Sequence, residues 1–208
     1  MTADSITVVT GLPRSGTTML MRMLEAGGVP LYYDNSRPMF FEENGRQCIS
    51  YNAMLRETEK SPDLRDGESE WLNECYGKAV KILNPAKVMI PKGHKYNFIW
   101  CSRRVKDLVR SQFKWWQAIG KPRTDDPQRT IASAEIARSE GLAALKKYPK
   151  SRLMVVEFKD AITKPRAVAI RLARWLGRDM DTEAMAAVVV KRPAAVMPDM
   201  MEERIYSA

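Results

Sequence analysis

At 208 residues, with 45% apolar and 28% charged side chains, the chain can bury a sizeable core and is neither disordered, collagenous nor a disulfide scaffold by composition. Its 34 Lys and Arg against 25 Asp and Glu leave a net charge of +9, which suits a polyanionic ligand, a nucleic acid, an acidic surface, or simply a well-solvated basic exterior. Three scattered cysteines (Cys48, Cys75, Cys101) and one histidine (His94) have no metal-ligand spacing, so reduced thiols in a cytoplasmic protein are expected and a structural zinc is not.

No apolar run approaches the ~20 residues of a membrane helix, and with a strand expected so near Met1 no signal peptide is expected. One domain over residues 1–208 is the simplest reading. Ile6, Val8 and Val9 predict a short buried strand, and Gly11-Leu12-Pro13-Arg14-Ser15-Gly16 a tight loop. A methionine-rich helix follows from Thr17 to about Glu25, ended by Gly27-Gly28. Pro30–Tyr33 reads as a second strand. Asp34–Pro38 breaks regular structure before Phe40-Phe41-Glu42-Glu43, and Arg46 to Thr58 reads as a helix. Ser61–Ser69 is loop-like.

Further strands are expected at Ala79–Leu83, Tyr96–Cys101 and Arg152–Phe158. Helices are expected over Lys106–Gln117, Gln128–Lys147, from Pro165 to a stop at Gly177, and near Thr182–Val190. Strands alternating with helices imply a three-layer α/β/α fold around a mostly parallel central sheet. Ligands in such folds bind at the carboxyl ends of the strands. That rule aligns Gly11–Thr18, Asp34–Glu42, Leu83–Pro85, Ser102–Ser111 and Phe158–Asp160 along one edge.

The chemistry concentrates in GLPRSGTT. Glycines 11 and 16 permit positive φ, so successive backbone N–H groups can face an anion, and the helix start adds its own free N–H groups and dipole. A nucleotide-triphosphatase loop would read GxxxxGK[ST]. Here Thr17 holds the lysine position and the cation has moved inside the loop as Arg14, whose planar fork suits a phosphate or sulfate.

GLPRSGTT resembles the 5′-phosphosulfate loop of sulfotransferases that use 3′-phosphoadenosine 5′-phosphosulfate (PAPS). Three further stretches resemble that family's motifs in the same order. In FIWCSRRVKDLVRSQF, Arg103, Asp107 and Ser111 match a strand followed by R-D-P-x-D and a serine, although Arg104-Val105 replace Asp-Pro. In VVEFKDAITKP, Phe158 stands at the family's tyrosine and Asp160 at its acid, with Lys159 replacing a second acid. In AVKILNPAKVMIP, Lys81 matches the lysine of K-T-H-L-P, while Leu83 falls where cytosolic members carry a catalytic histidine. His94 is read as a loop residue.

The resemblance implies a P-loop fold and transfer of a sulfuryl group from PAPS to a hydroxyl or an amine, giving PAP, without a metal. It implies Pro13, Arg14, Ser15, Gly16, Thr17 and Thr18 as 5′-end contacts, Arg103 and Ser111 on the 3′-phosphate, and Phe158 against the adenine. Lys191 and Arg192 are available as late basic contacts. Arg14 and Lys81 would be the catalytic cations. With no histidine at the strand end the base is expected to be a carboxylate, with Glu42 first, then Glu43 and Asp34. Arg37 either binds an acidic acceptor or pairs with Asp34. The acceptor is expected to be a small molecule, glycan or lipid.

Three other readings stay open on sequence alone. One is a P-loop kinase of a small metabolite, and one a relative that binds nucleotide without turning over. The third is a basic nucleic-acid module using Arg103–Arg110, Lys121–Arg123 and a Trp115-Trp116 stacking platform, disfavoured as a partner assignment.

Overall fold

The computed structural model describes residues 4–34, 40–43, 46–49, 55–118 and 124–189, with backbone only at 40–43, 46–49 and 118. Five strands form one parallel sheet: β1 (Ile6–Gly11), β2 (Leu31–Tyr32), β5 (Ala79–Lys81), β6 (Tyr96–Ser102) and β7 (Arg152–Glu157), in the order β2-β5-β1-β6-β7. β1 is central, pairing Val8 with Val80 of β5 on one side and with Phe98 of β6 on the other.

Period-two alternation within the strands sorts side chains onto two faces. Val9, Ile99, Cys101, Met154 and Val156 face α1 (Thr17–Ala26), α5 (Pro165–Leu176) and α6 (Thr182–Ala187), which contribute Leu20, Leu24, Leu172 and Met185. Ile6, Val8, Val80, Tyr96, Phe98 and Trp100 face the opposite side, packed with Trp71, Leu72 and Leu145. Both faces of the central strands are dry, so β1 and β6 are continuously buried, and each buried large apolar side chain contributes roughly 1.5–3 kcal/mol. The expected layered α/β/α fold is what the chain forms.

α2 (Val105–Ala118) and α3 (Pro127–Leu145) form a cluster with Leu12 of the loop after β1 through Val105, Leu108, Val109, Phe113 and Ile131. Asp126 caps α3, accepting a bond from the Gln128 N–H at 3.0 Å, and Gly177 closes α5 in the left-handed conformation. α4 (Phe158–Thr163) begins where β7 ends, so Phe158 opens a helix rather than closing a strand.

Two further expectations are corrected. Arg46–Ile49 is strand β4, paired antiparallel with β3 (Phe40–Glu43), not the start of a helix. The pairing sets Glu42 opposite Gln47, a local hairpin that outweighs the helical spacing of the apolar residues. Ser61–Ser69 contains a 3-10 turn, Pro62–Arg65, whose Leu64 is fully buried, and a second one follows at Glu70–Cys75. Buried apolar anchors, which composition hides, give that segment its structure. No helix among the described residues is long and apolar enough to cross a membrane.

Candidate functional site

Because all five sheet strands are parallel, their carboxyl ends share one edge. β1 delivers the loop Leu12–Gly16 at the centre of that edge, β5 delivers Lys81 on one side, and β6 and β7 deliver Arg103 and Phe158 on the other. The loop needs its glycines. Gly11 has φ +148 and a Cβ there would lie 2.8 Å from the Cys101 carbonyl oxygen. Gly16 has φ +107, and a Cβ there would run into the Phe158 ring. Arg14 itself is left-handed at φ 72, a conformation uncommon for a non-glycine residue and worth a functional account.

The loop's five successive carbonyls are each taken by a donor. Leu12 O accepts from the Ser15 N–H at 3.1 Å and Gly16 O from the Leu20 N–H at 3.2 Å. Pro13 O accepts from Gln112 Nε2 at 3.0 Å, Arg14 O from Arg103 Nη1 at 3.0 Å, and Ser15 O from the Cys101 thiol at 3.0 Å. The amides of Gly16, Thr17 and Thr18 find no backbone carbonyl among the described residues. Carbonyls held by outside donors leave the N–H groups as a positive nest at the first turn of α1. The Ser15 hydroxyl is buried and has no hydrogen-bond partner among the described residues. Such an orphaned donor fits an anion ligand.

Side chains ring this nest. Arg14 Nε points at Ser111 Oγ, 3.4 Å away, and its guanidinium carbon lies 4.8 Å from the Trp115 ring centre. Trp115 is therefore a platform for Arg14. Arg103 lies on Phe158 at 4.4 Å. Burial pulls the Arg103 guanidinium below its ordinary value while Asp107 opposes the shift, and an arginine stays charged throughout. Arg14, Arg103, Ser111 and Phe158 thus lie in one cluster.

Lys81 sits across the loop. Its side chain is 1% exposed, and its ammonium donates to Thr18 Oγ1 at 3.1 Å and to the Leu55 carbonyl, and pairs with Glu57 Oε1 at 2.9 Å. Burial pushes its pKa down from the usual lysine value, and the neighbouring Arg14 and Arg22 push the same way, while Glu57 opposes them.

Three contributors escaped the sequence reading. Gln112 and Cys101 hold loop carbonyls, and Glu57 holds Lys81. Gln112 adjoins the flagged Ser111, which was its one signal; nothing local marks Cys101 or Glu57. His94 is remote from this edge, bonded through Nδ1 to Tyr76 Oη at 2.7 Å and lying against Tyr96 at the amino end of β6. Asp34 lies just past β2 and gives its N–H to the Glu57 carbonyl at 2.9 Å. The side chains of Glu42 and Glu43 lie outside the described residues, as do Arg37, residues 121–123, Lys191 and Arg192.

No protein-family model matches the sequence, and no curated protein matches it. Solved structures do. A mouse sulfotransferase complexed with PAP superposes with a TM-score of 0.52 at 14% identity, covering 90% of this chain and 63% of that one. A retinol dehydratase in complex with androsterone and the inactive cofactor PAP gives 0.51 at 15% identity, covering 91% and 64%. A sulfotransferase from Mycobacterium tuberculosis gives 0.51 at 14% identity, covering 98% and 76%. The chain thus spans less than two thirds of the length of the first two. At these identities the likeness establishes a shared architecture alone: the chain has the fold of these sulfotransferase structures, a P-loop fold.

Proposed function

We propose that the chain is a PAPS-dependent sulfotransferase that transfers the sulfuryl group to a hydroxyl, or less favourably an amine, of a small-molecule, glycan or lipid acceptor, releasing PAP. One observation carries the reading. The Leu12–Gly16 carbonyls are all engaged by other donors, so the loop presents N–H groups to an anion with Arg14 and Lys81 beside it and with Arg103 and Ser111 against Arg14. Cations on both sides of the nest, Lys81 on one and Arg14 with Arg103 on the other, suit a donor that carries more than one anionic group. Among the described residues Cys75 and Cys101 are free buried thiols, which suits a reducing cytoplasm.

Sulfuryl transfer forms a bond from the acceptor oxygen to sulfur and breaks the bond from sulfur to the bridging phosphate oxygen. Charge then grows on the departing phosphate. Preorganised donors aimed at that charge are the largest lever available to a protein. The amides of Gly16 to Thr18, the Thr17 hydroxyl and the Arg14 guanidinium take that role as donors, and the Lys81 ammonium adds its charge from behind Thr18. Pro13 and Ser15 shape the loop, Arg103 and Ser111 hold the 3′-phosphate, and Phe158 borders the adenine. The acceptor proton passes to a carboxylate, Glu42 in the first instance, with Glu43 and Asp34 as the other choices.

Purified protein offered PAPS or ATP with a panel of alcohols, sugars, phenols and amines tests this. Label from PAPS should appear in an acceptor and none from ATP. Transfer of the ATP γ-phosphate, without sulfuryl transfer, would assign the chain to small-molecule kinases.

A further inference from the structure

Lys81 is the only lysine among the described residues with a side chain as little as 1% exposed in an ion pair, and the manner of its confinement has no counterpart in the transfer chemistry above. Three N–H groups of the ammonium meet three acceptors: Thr18 Oγ1 at 3.1 Å, Glu57 Oε1 at 2.9 Å and the Leu55 carbonyl. The Thr18 hydroxyl in turn donates to the Leu55 carbonyl at 3.3 Å, closing a ring of contacts over the first turn of α1.

The turn that carries Leu55 and Glu57 is itself fastened. Arg56 is left-handed at φ 55, forks onto Glu25 Oε2 through Nε and Nη2 at 3.1 and 3.0 Å, and lies 5.3 Å from the Tyr33 ring centre. The Glu57 carbonyl accepts the Asp34 N–H, and Ser61 Oγ donates to the Lys81 carbonyl at 3.1 Å. A strained residue persists only when its surroundings over-determine it. Here the strain aims Glu57 at the buried ammonium, while the Glu57 side chain stays 30% exposed.

We propose that Glu57 is a positioning residue: its carboxylate holds the Lys81 ammonium, fully charged, against Thr18 at the anion-binding turn of α1. The proposal rests on the sulfotransferase reading for what Lys81 then does, and on geometry alone for the pair itself. The need is electrostatic. Lys81 faces Arg14 from the loop and Arg22 from α1, both repelling an ammonium, and burial repels it further; Glu57 is the group that counters them. A buried ammonium without its counter-ion gives up its proton instead of staying charged. Glu57 acts through Lys81 and need not touch the donor.

The test compares apo wild type with Glu57→Gln by thermal unfolding from pH 6 to pH 9, and repeats the pair on a Lys81→Met background. Without Glu57 the folded-state pKa of Lys81 drops further below its unfolded value, so the folded state holds fewer protons and its stability rises with pH. The Tm deficit of Glu57→Gln is therefore largest at pH 6 and shrinks toward pH 9, whereas on Lys81→Met the same change costs the same at every pH. A deficit independent of pH, or equal on both backgrounds, overturns the proposal. If Glu57→Gln alone does not fold at pH 6, folding of Glu57→Gln with Lys81→Met is the expected result and failure of both overturns it.

Calorimetric titration with PAP completes the test. In Glu57→Gln the affinity should fall by several-fold or more from pH 6.5 to pH 9 relative to wild type, as Lys81 loses its charge. A parallel pH profile in the two proteins would overturn the positioning role. Wild type that binds no PAP at any pH would refute the sulfotransferase reading instead, and the apo comparison would still decide the pair.

Discussion

The Arg103 guanidinium lies on the Phe158 ring, 4.4 Å from its centre, and one of its N–H groups reaches the Arg14 carbonyl 3.0 Å away. A residue from the end of β6 is thereby fixed between the loop after β1 and the aromatic after β7. Phe158 also fills the space where a Gly16 Cβ would stand. It is thus a support for the loop and for Arg103, whatever it gives to a nucleotide base.

Phe158→Ala removes the stacking partner of Arg103 and opens a gap beside Gly16. A cation–π contact of this kind contributes roughly 0.5–2 kcal/mol. PAP affinity should fall about tenfold, whereas Phe158→Tyr, which keeps the ring, should bind within about twofold of wild type. Isothermal titration of the three proteins checks this, and equal affinity in Phe158→Ala would remove Phe158 from the site.

Gly16→Ala should be severe. Its φ of +107 strains any side chain, and the added Cβ meets the Phe158 ring and, at 3.3 Å, the Cys101 sulfur. A loss of about 2 kcal/mol is expected from backbone strain alone, with anion binding lost because the nest cannot close. Denaturant unfolding and PAP titration report the two effects separately.

The thiols of Cys75 and Cys101 are both pushed by burial from 9.0 up to about 12. Neither should react with iodoacetamide in the native protein at pH 8, as peptide mapping by mass spectrometry will show, since the thiolate is the nucleophile. The folded state holds these protons more tightly than the unfolded one. Their contribution to stability is therefore complete below pH 9 and is lost as pH rises toward 12. Rapid labelling of Cys101 at pH 8 would contradict its place beneath the loop.

Glu42→Gln should lower turnover by a hundredfold or more with PAP affinity unchanged, the behaviour of a lost general base. Full turnover would pass the role to Glu43 or Asp34, whose own glutamine and asparagine variants settle the choice.

Much of the fold could be read from pattern. The apolar runs in Ile6–Gly11 and Tyr96–Ser102, the helix spacing after Pro165 and the stop at Gly177 are local signals, and the structure repeats them nearly to the residue. The loop was legible for the same reason, because glycines at 11 and 16 with Arg14 between them state a backbone requirement. Long-range partners were not. Glu57 reaches Lys81 across 24 positions of sequence, and Gln112 reaches the Pro13 carbonyl across 99. Neither residue differs locally from any surface glutamate or helical glutamine. The Arg46–Ile49 strand was misread because its pairing with Phe40–Glu43, and not its own periodicity, decides its conformation.

The measurement that bears most directly on the function is the thermal shift of the apo protein with PAP, using ATP and ADP as controls. A ligand that binds only the folded state raises Tm by mass action, by about 2.7 kcal/mol of stability at a hundredfold excess over Kd. PAP at millimolar concentration should raise Tm by several degrees, more than ATP or ADP, and Arg14→Ala should lose most of that shift. A shift with ATP and none with PAP would contradict the assignment of this edge to a phosphosulfate donor.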